Sequence, residues 1–386
     1  MRPVQGHLPL QALVFGLVAA AISAVYFTQP VLPELSREFA ASPPLASLTV
    51  SLVILGITLA CLPFGVLADR WAVKSIIALG GGATAACLAL AALSPNLPVL
   101  LAARLGQGLA LPALTSCLAA YLARTLPPAG LRVVMGSYVA ATVVGGLMGR
   151  LLSGFFLAGH WRACFWLGAF LVLALSLTAM AWLPTQGPPP AHRKSEPGYL
   201  ALLKSRPTLA PYLSTFGSMF VFAAVFNYIP YHLAAPPFVA STSLISLVYL
   251  SFIIGVAQSP LAGRLAGRWG AGPVLLMGAA LFAMALMVSR LASLPMVILA
   301  LVLVCAGHFT IHATSQGLLN MRLSSSQGRG NSLYVLVYYL GGWAGITAAG
   351  ALWSRWAWGG VTGLGLAMLL LPVAVGLLEI KHRGRS

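Results

Sequence analysis

Gly65-Val66-Leu67-Ala68-Asp69-Arg70-Trp71 closes one long apolar run and opens the turn that follows it. The same pattern returns 198 residues later as Gly263-Arg264-Leu265-Ala266-Gly267-Arg268-Trp269. A second set, Tyr138, Gly145, Gly146, Gly149 and Gly154, recurs 196 residues later as Tyr334, Gly341, Gly342, Gly345 and Gly350. Two sets at a nearly constant offset mark an internal duplication of the 386-residue chain.

What is duplicated follows from composition. The chain is 59% hydrophobic and 7% charged, whereas soluble domains average about a quarter charged residues. A water-soluble enzyme is excluded on that ground. A membrane span needs about 20 apolar residues. Hydropathy and Pro/Gly punctuation place spans at 10–32, 45–67, 75–93, 97–122, 132–157, 161–183, 209–233, 241–262, 272–290, 294–319, 330–350 and 357–378. Each run is apolar on all sides and too long for a barrel strand, so an all-α polytopic membrane protein of twelve transmembrane helices is expected. Residues 184–208, rich in Pro and polar residues, read as a cytoplasmic linker between six-helix bundles at 1–183 and 209–386. Arg2, His7 and the Ala19-x-Ala21 pattern also fit a cleaved signal peptide, but the apolar run continues to Leu32 and belongs to the first repeat.

Lys and Arg number 22 against 5 acids, a formal net charge of +17. If the N-terminus is cytoplasmic, one face holds Arg2, Arg70, Lys74, Arg124, Arg132, Arg193, Lys194, Lys204, Arg206, Arg264, Arg268, Arg322, Arg329, Lys381, Arg383 and Arg385. The other holds only Arg37, Arg162, Arg290 and Arg355. That split satisfies the positive-inside rule with both termini cytoplasmic. The basic excess is thus a topology signal and a contact for anionic membrane lipids, not for nucleic acid. Arg104 and Arg150 remain inside spans. The five cysteines lie in apolar runs without metal spacing and read as core residues.

These motifs bear a resemblance. Gly65, Leu67, Ala68, Asp69, Arg70 and Lys74 resemble the loop 2–3 signature of the major facilitator superfamily, GxLaDrxGrK, with Ala72 and Val73 replacing its second glycine and following arginine. Arg104-Leu-Gly-Gln107-Gly108 resembles the RxxqG motif of its drug/proton antiporter branches. Gly145-Gly146-Leu-Met-Gly149-Arg150 is similar to the glycine-rich antiporter motif, without its Gly-Pro pair. Tyr26-Phe-Thr-Gln29-Pro30, Gly149-Arg150, His312 and Tyr338-Tyr339-Leu-Gly341 look most like a bacterial branch of efflux permeases. The resemblance implies two pseudo-symmetric six-helix bundles around a midplane cavity lined by spans 1, 4, 7 and 10.

For single residues, two readings stand side by side. The resemblance implies a conformational gate at Gly65, Asp69, Arg70 and Lys74, with Arg268 in the second copy, where Gly267 replaces the acid; the alternative is a helix-end anchor. An arginine inside a span is costly unless paired or facing a wet cavity; the motif resemblance implies a substrate or proton-coupling role for Arg104 with Gln107, and otherwise it is a structural arginine bonded to span 1, for example to Gln29. Arg150 is a second such candidate, or a side chain reaching the headgroups. His308 and His312 share one face of span 10 and can carry a proton near neutral pH; the plainer reading is neutral histidines bonded to backbone. No metal pattern accompanies them, and no cofactor is expected. Tyr26, Gln29, Asn227 and Tyr228 are candidate cavity contacts, although tyrosines at span ends also serve an interfacial belt. Gly145, Gly146, Gly149, Gly341, Gly342 and Gly345 allow close helix packing in lipid.

The acids are Glu34, Glu38, Asp69, Glu196 and Glu379, none at mid-membrane. An anionic or neutral amphipathic substrate follows, with protons coupled through His312 or through Glu34. The expectation is a monomeric, proton-coupled exporter of small molecules in a bacterial cytoplasmic membrane. An importer of a sugar, organic acid or amino acid on the same fold is the alternative. Paired catalytic carboxylates and nucleophile–base sets are lacking, so no enzyme is expected.

Overall fold

The computed structural model describes residues 7–68, 70–183, 199–323 and 327–383. These form long helices, with no strand among the described residues. In chain order they are α1 (His7–Tyr26), α2 (Pro43–Ala68), α3 (Val73–Ala92), α4 (Leu97–Thr125), α5 (Pro128–Leu151), α6 (Trp161–Trp182), α7 (Arg206–Ala234), α8 (Thr242–Trp269), α9 (Ala271–Val288), α10 (Leu294–Arg322), α11 (327–356) and α12 (358–383). Among the described residues eleven helices are long and apolar enough to cross a membrane, and the last of them runs Gly328–His382. Ala357, at φ 45 and ψ −132, breaks that run into α11 and α12. Each piece still exceeds the roughly 20 residues that a span needs.

The outward surface is apolar: Met321 is 75% exposed, Phe170 69% and Leu79 65%. In water this would be a large aggregation-prone surface. In lipid it is the ordinary exterior.

The chain divides into two compact units, one of residues 1–41 and 48–192, the other of 42–47 and 193–386. In the first, α1 packs on α5 and α6, and α3 on α4 and α6. In the second, α7 packs on α11, and α9 on α10 and α12. Hydrophobic attraction cannot hold helices together in lipid, so close backbone approach must do so. The two units use one seam for this. A Cβ added to Gly145 would lie 2.5 Å from the Ala19 carbonyl oxygen, and one on Gly149 2.2 Å from that of Ser23. In the second unit the matching distances are 2.6 Å from Gly341 to Phe216 O and 2.1 Å from Gly345 to Phe220 O. At each of these four positions only glycine fits without moving a backbone.

The structure corrects the end of the first span. Span 1 does not continue to Leu32: α1 ends at Tyr26, a turn covers 27–31, and a short helix, Leu32–Glu38, follows. Pro30 cannot donate a helical hydrogen bond, and Pro33 sits in the first turn of the short helix. Of the expected linker, 184–198 lies outside the described residues; Tyr199–Lys204 is a short helix, and α7 starts at Arg206.

The duplicated turn shows how a motif departure is absorbed. Gly270, seven residues into the second copy, has φ 90 and ψ 163, a conformation reserved for glycine. The equivalent Ala72 has φ −63 and ψ 118, ordinary extended backbone. The first copy makes its turn without a left-handed residue, so alanine replaces the glycine there at no steric cost.

Candidate functional site

The break in α1 organises the first group of candidates. A helix that stops inside a membrane leaves the carbonyls of its last turn without donors. Arg104 of α4 supplies them. Its Nη1 donates to Ala24 O at 2.7 Å and its Nη2 to Val25 O; its Nε donates to Thr49 O of α2 at 2.7 Å. Nη1 also donates to Gln107 Oε1, one turn along α4, at 2.5 Å. The guanidinium lies 5.4 Å from the centre of the Phe165 ring on α6. Arg104 is fully buried. At least four of its five N–H groups are therefore used, and its charge sits at the negative end of α1. This arginine is a built-in cap that ties α1, α2 and α4 together.

Arg150 of α5 meets the same break from another side. Its Nε donates to Gln29 Oε1 at 2.7 Å and its Nη1 to Gly146 O at 2.5 Å. Its guanidinium stacks 3.8 Å from the Tyr26 ring centre. The residue is 3% exposed, so it does not reach for the headgroups. Gln29 thus serves Arg150, not Arg104. The next stretch, Leu152–Phe156, widens to i→i+5 bonding, closed by Leu157 N donating to Leu152 O at 2.8 Å. Thr28 Oγ1 and Gln107 Nε2 are buried at this break without a partner among the described residues. Glu34 follows half-buried in the first turn of the short helix.

The second group lies in the other unit and is built of neutral polar rings. His308 of α10 is fully buried, with Nδ1 2.9 Å from Ser218 Oγ of α7 and Nε2 3.4 Å from Tyr338 OH of α11. Its ring stacks on Phe222 at 4.0 Å. His312 stands one turn on, its ring 5.9 Å from that of His308. Tyr334 OH donates to His312 O at 3.0 Å and lies 3.1 Å from His312 Nδ1. One hydroxyl hydrogen cannot serve both. With it on the carbonyl, Nδ1–H donates to the tyrosine oxygen, and Nε2 is left as the basic nitrogen. His312 is half-buried, and its Nε2 has no hydrogen-bond partner among the described residues.

On α7, Tyr228 OH donates to Ile346 O at 3.4 Å and its ring stacks on Trp353 at 5.3 Å. Asn227 is fully buried, and neither Oδ1 nor Nδ2 has a partner among the described residues. An unpaired amide in a core costs about 1–3 kcal/mol.

The gate candidates are more dispersed. Asp69 lies outside the described residues. Arg70 and Arg268 are exposed, Lys74 is half-buried, and a Cβ at Gly65 would meet nothing within 4 Å. Arg124, at the end of α4, reads from sequence only as a topology charge. In the structure its Nη1 donates to Ala68 O at 2.8 Å and caps α2. Arg322, 198 residues later at the end of α10, donates to Pro207 O at 2.7 Å and pairs with Glu379 at 2.6 Å. The repeat offset is the signal that links these two arginines.

Comparison with known proteins gives this geometry its context. The sequence pattern of the Major Facilitator Superfamily matches residues 13–345. The chain belongs to the major facilitator superfamily. It is 30% identical over 373 residues to a Bacillus subtilis (strain 168) protein described as uncharacterized MFS-type transporter YybF, covering 94% of this chain and 91% of that one. It is 29% identical over 373 residues to the inner membrane transport protein YnfM of Escherichia coli (strain K12), covering 94% and 88%. In structure it resembles a bacterial homologue of the human lysosomal transporter Spinster, inward-facing and occupied, with TM-score 0.76, 16% identity and 96% of each chain covered. It also resembles a mutant form of the nucleoside transporter NupG, with TM-score 0.75, 14% identity, and 96% and 98% covered. As a member of the superfamily the protein is a multi-pass membrane protein and a secondary transporter that works by alternating access.

Proposed function

We propose that this transporter exports a neutral or anionic small molecule in exchange for protons, with His312 carrying the proton. The observation that carries this reading is the His308–His312–Tyr334–Tyr338 cluster. It places one titratable ring nitrogen, His312 Nε2, without a partner among the described residues on a half-buried face of α10. The arginines of the first unit are spent differently. Arg104 is committed to backbone carbonyls, so its role is to hold the α1 break in shape. Arg150, Gln29 and Tyr26 form the surface of that break. No carboxylate among the described residues is bonded to the guanidinium of Arg104, which leaves the break electropositive and disfavours a cationic substrate. In the second unit, Asn227 offers a buried amide group to a polar substrate.

Support for export comes from the RxxqG-like run at Arg104–Gly108 and the glycine-rich run at Gly145–Arg150. Both termini then lie in the cytoplasm of a bacterial cell, and Asp69, Arg70, Lys74 and Arg268 face the cytoplasm as gate residues.

A vesicle assay tests the direction. A substrate found by thermal-shift screening is offered to everted and right-side-out vesicles carrying an imposed proton gradient. Accumulation in everted vesicles energised by an acidic interior is expected. Accumulation in right-side-out vesicles driven by an acidic exterior would establish an importer instead.

A further inference from the structure

The two units solve the same problem differently at corresponding ends. In the first, Trp161 Nε1 donates to Glu38 Oε2 at 2.7 Å, and Arg162 pairs with the same carboxylate while donating to Ser94 O at 3.1 Å. Trp161 recurs 197 residues later as Trp358. There the indole N–H donates to Ser289 O and Oγ, both at 3.1 Å. The cation at this end is the next residue, Arg290, and it has no carboxylate among the described residues.

The second unit holds only one acid among the described residues, Glu379. It is paired with Arg322 at the far end of α10. Arg290 and Arg355 are both exposed and have no hydrogen bond or ion pair among the described residues. Beside Arg290 lies an open groove of about 540 Å³, walled by Leu352, Trp356, Gly363 and Leu364. The Arg290 guanidinium lies over Gly359, with Nη2 3.9 Å from where a Cβ would be. Trp356 is 59% exposed, and its indole N–H is unpaired among the described residues.

We infer that this groove, at the turn between α11 and α12, is a built-in seat for one anionic phospholipid. Arg290 would take the phosphodiester, since a guanidinium fork matches two phosphate oxygens. The Trp356 indole would lie at headgroup depth, where tryptophan is favoured. The acyl chain would run along Leu352, Leu364 and the bare face of Gly363. A zwitterionic lipid carries its own ammonium beside the phosphate. The unpaired Arg290 therefore favours a lipid with net negative charge, by about fivefold.

Native mass spectrometry of the detergent-purified protein with added phosphatidylglycerol, phosphatidylcholine or inorganic phosphate tests this site. Retention of one phosphatidylglycerol at least about fivefold above phosphatidylcholine is expected. Arg290→Gln should abolish that preference, whereas Arg264→Gln, which removes an exposed charge on α8, should keep it. Gly363→Trp should exclude the lipid by filling the groove, and since a Cβ there meets nothing within 4 Å, it should leave the melting temperature unchanged without lipid. Equal retention of both lipids by the wild type would overturn the proposal. So would an equal loss in Arg264→Gln and Arg290→Gln. Inorganic phosphate displacing the lipid at equimolar concentration would also overturn it, by making the ligand a free anion.

Discussion

The two units share their packing seam and differ in what they bury. Gly149 and Gly345 touch the carbonyls of Ser23 and Phe220 at nearly the same distance, 2.2 and 2.1 Å for an added Cβ. Yet the first unit buries two arginines at a broken helix, and the second sets one buried and one half-buried histidine among tyrosines. The duplicated scaffold is set by backbone approach, which only glycine permits. The polar interior sits on that scaffold and is free to diverge. The arginines hold permanent charge and serve as fixed braces. The histidines can change charge and suit a coupling step.

The largest expected effect is at Arg104. Arg104→Ala leaves the carbonyls of Ala24 and Val25 and the amide of Gln107 without their donor. Buried groups left unpaired cost about 1–3 kcal/mol each, so a loss of at least about 3 kcal/mol is expected. Gel filtration and thermal melting in detergent should show aggregated or strongly destabilised protein. Arg104→Lys should not rescue it, because one ammonium cannot reach α1 and α2 in the same geometry. A stable Arg104→Ala protein that merely lost transport would remove the brace from the account.

The seam predicts a matched pair. Gly149→Leu and Gly345→Leu should each lower stability by at least about 1–3 kcal/mol through overpacking. If only one of them did so, the packing symmetry of the units would be broken. The motif turn predicts a mismatched pair. Gly270→Ala should cost about 1–2 kcal/mol, since φ 90 is strained for any Cβ. Ala72→Gly should shift the melting temperature far less, because Ala72 already has ordinary dihedrals.

The smallest stability effect is expected at Asn227. Asn227→Leu removes two unpaired buried polar atoms, so stability should hold or rise by about 1 kcal/mol. The ligand-induced melting shift of a polar substrate should fall at the same time. An unchanged shift would remove Asn227 from the binding surface.

Much of this was legible in the sequence. Lipid forces long apolar helices, so the twelve spans could be placed from composition and punctuation, apart from the end of the first. Arg104, Arg150, His308 and His312 stood out as polar residues in apolar runs. The break after Tyr26 was not legible, because a hydropathy window averages over Pro30 and Pro33. The partners were not legible either. Gln29 bonds Arg150, and Tyr334 bonds His312, through contacts between helices that no spacing within one helix encodes. Arg124 and Arg322 were visible as loop charges, but their capping of α2 and contact with Pro207 depend on where neighbouring helices end.

The central claim is that coupling resides in the second unit, at His312, while the arginines of the first unit are structural. The most direct test is the ligand-induced melting shift of purified protein at about pH 6 and about pH 8, where histidine changes charge. If a proton and the substrate exclude one another, linkage makes the wild-type shift larger at the higher pH. The account predicts that His312→Gln stays folded and shows equal shifts at the two pH values. A pH dependence that survives in His312→Gln would contradict it.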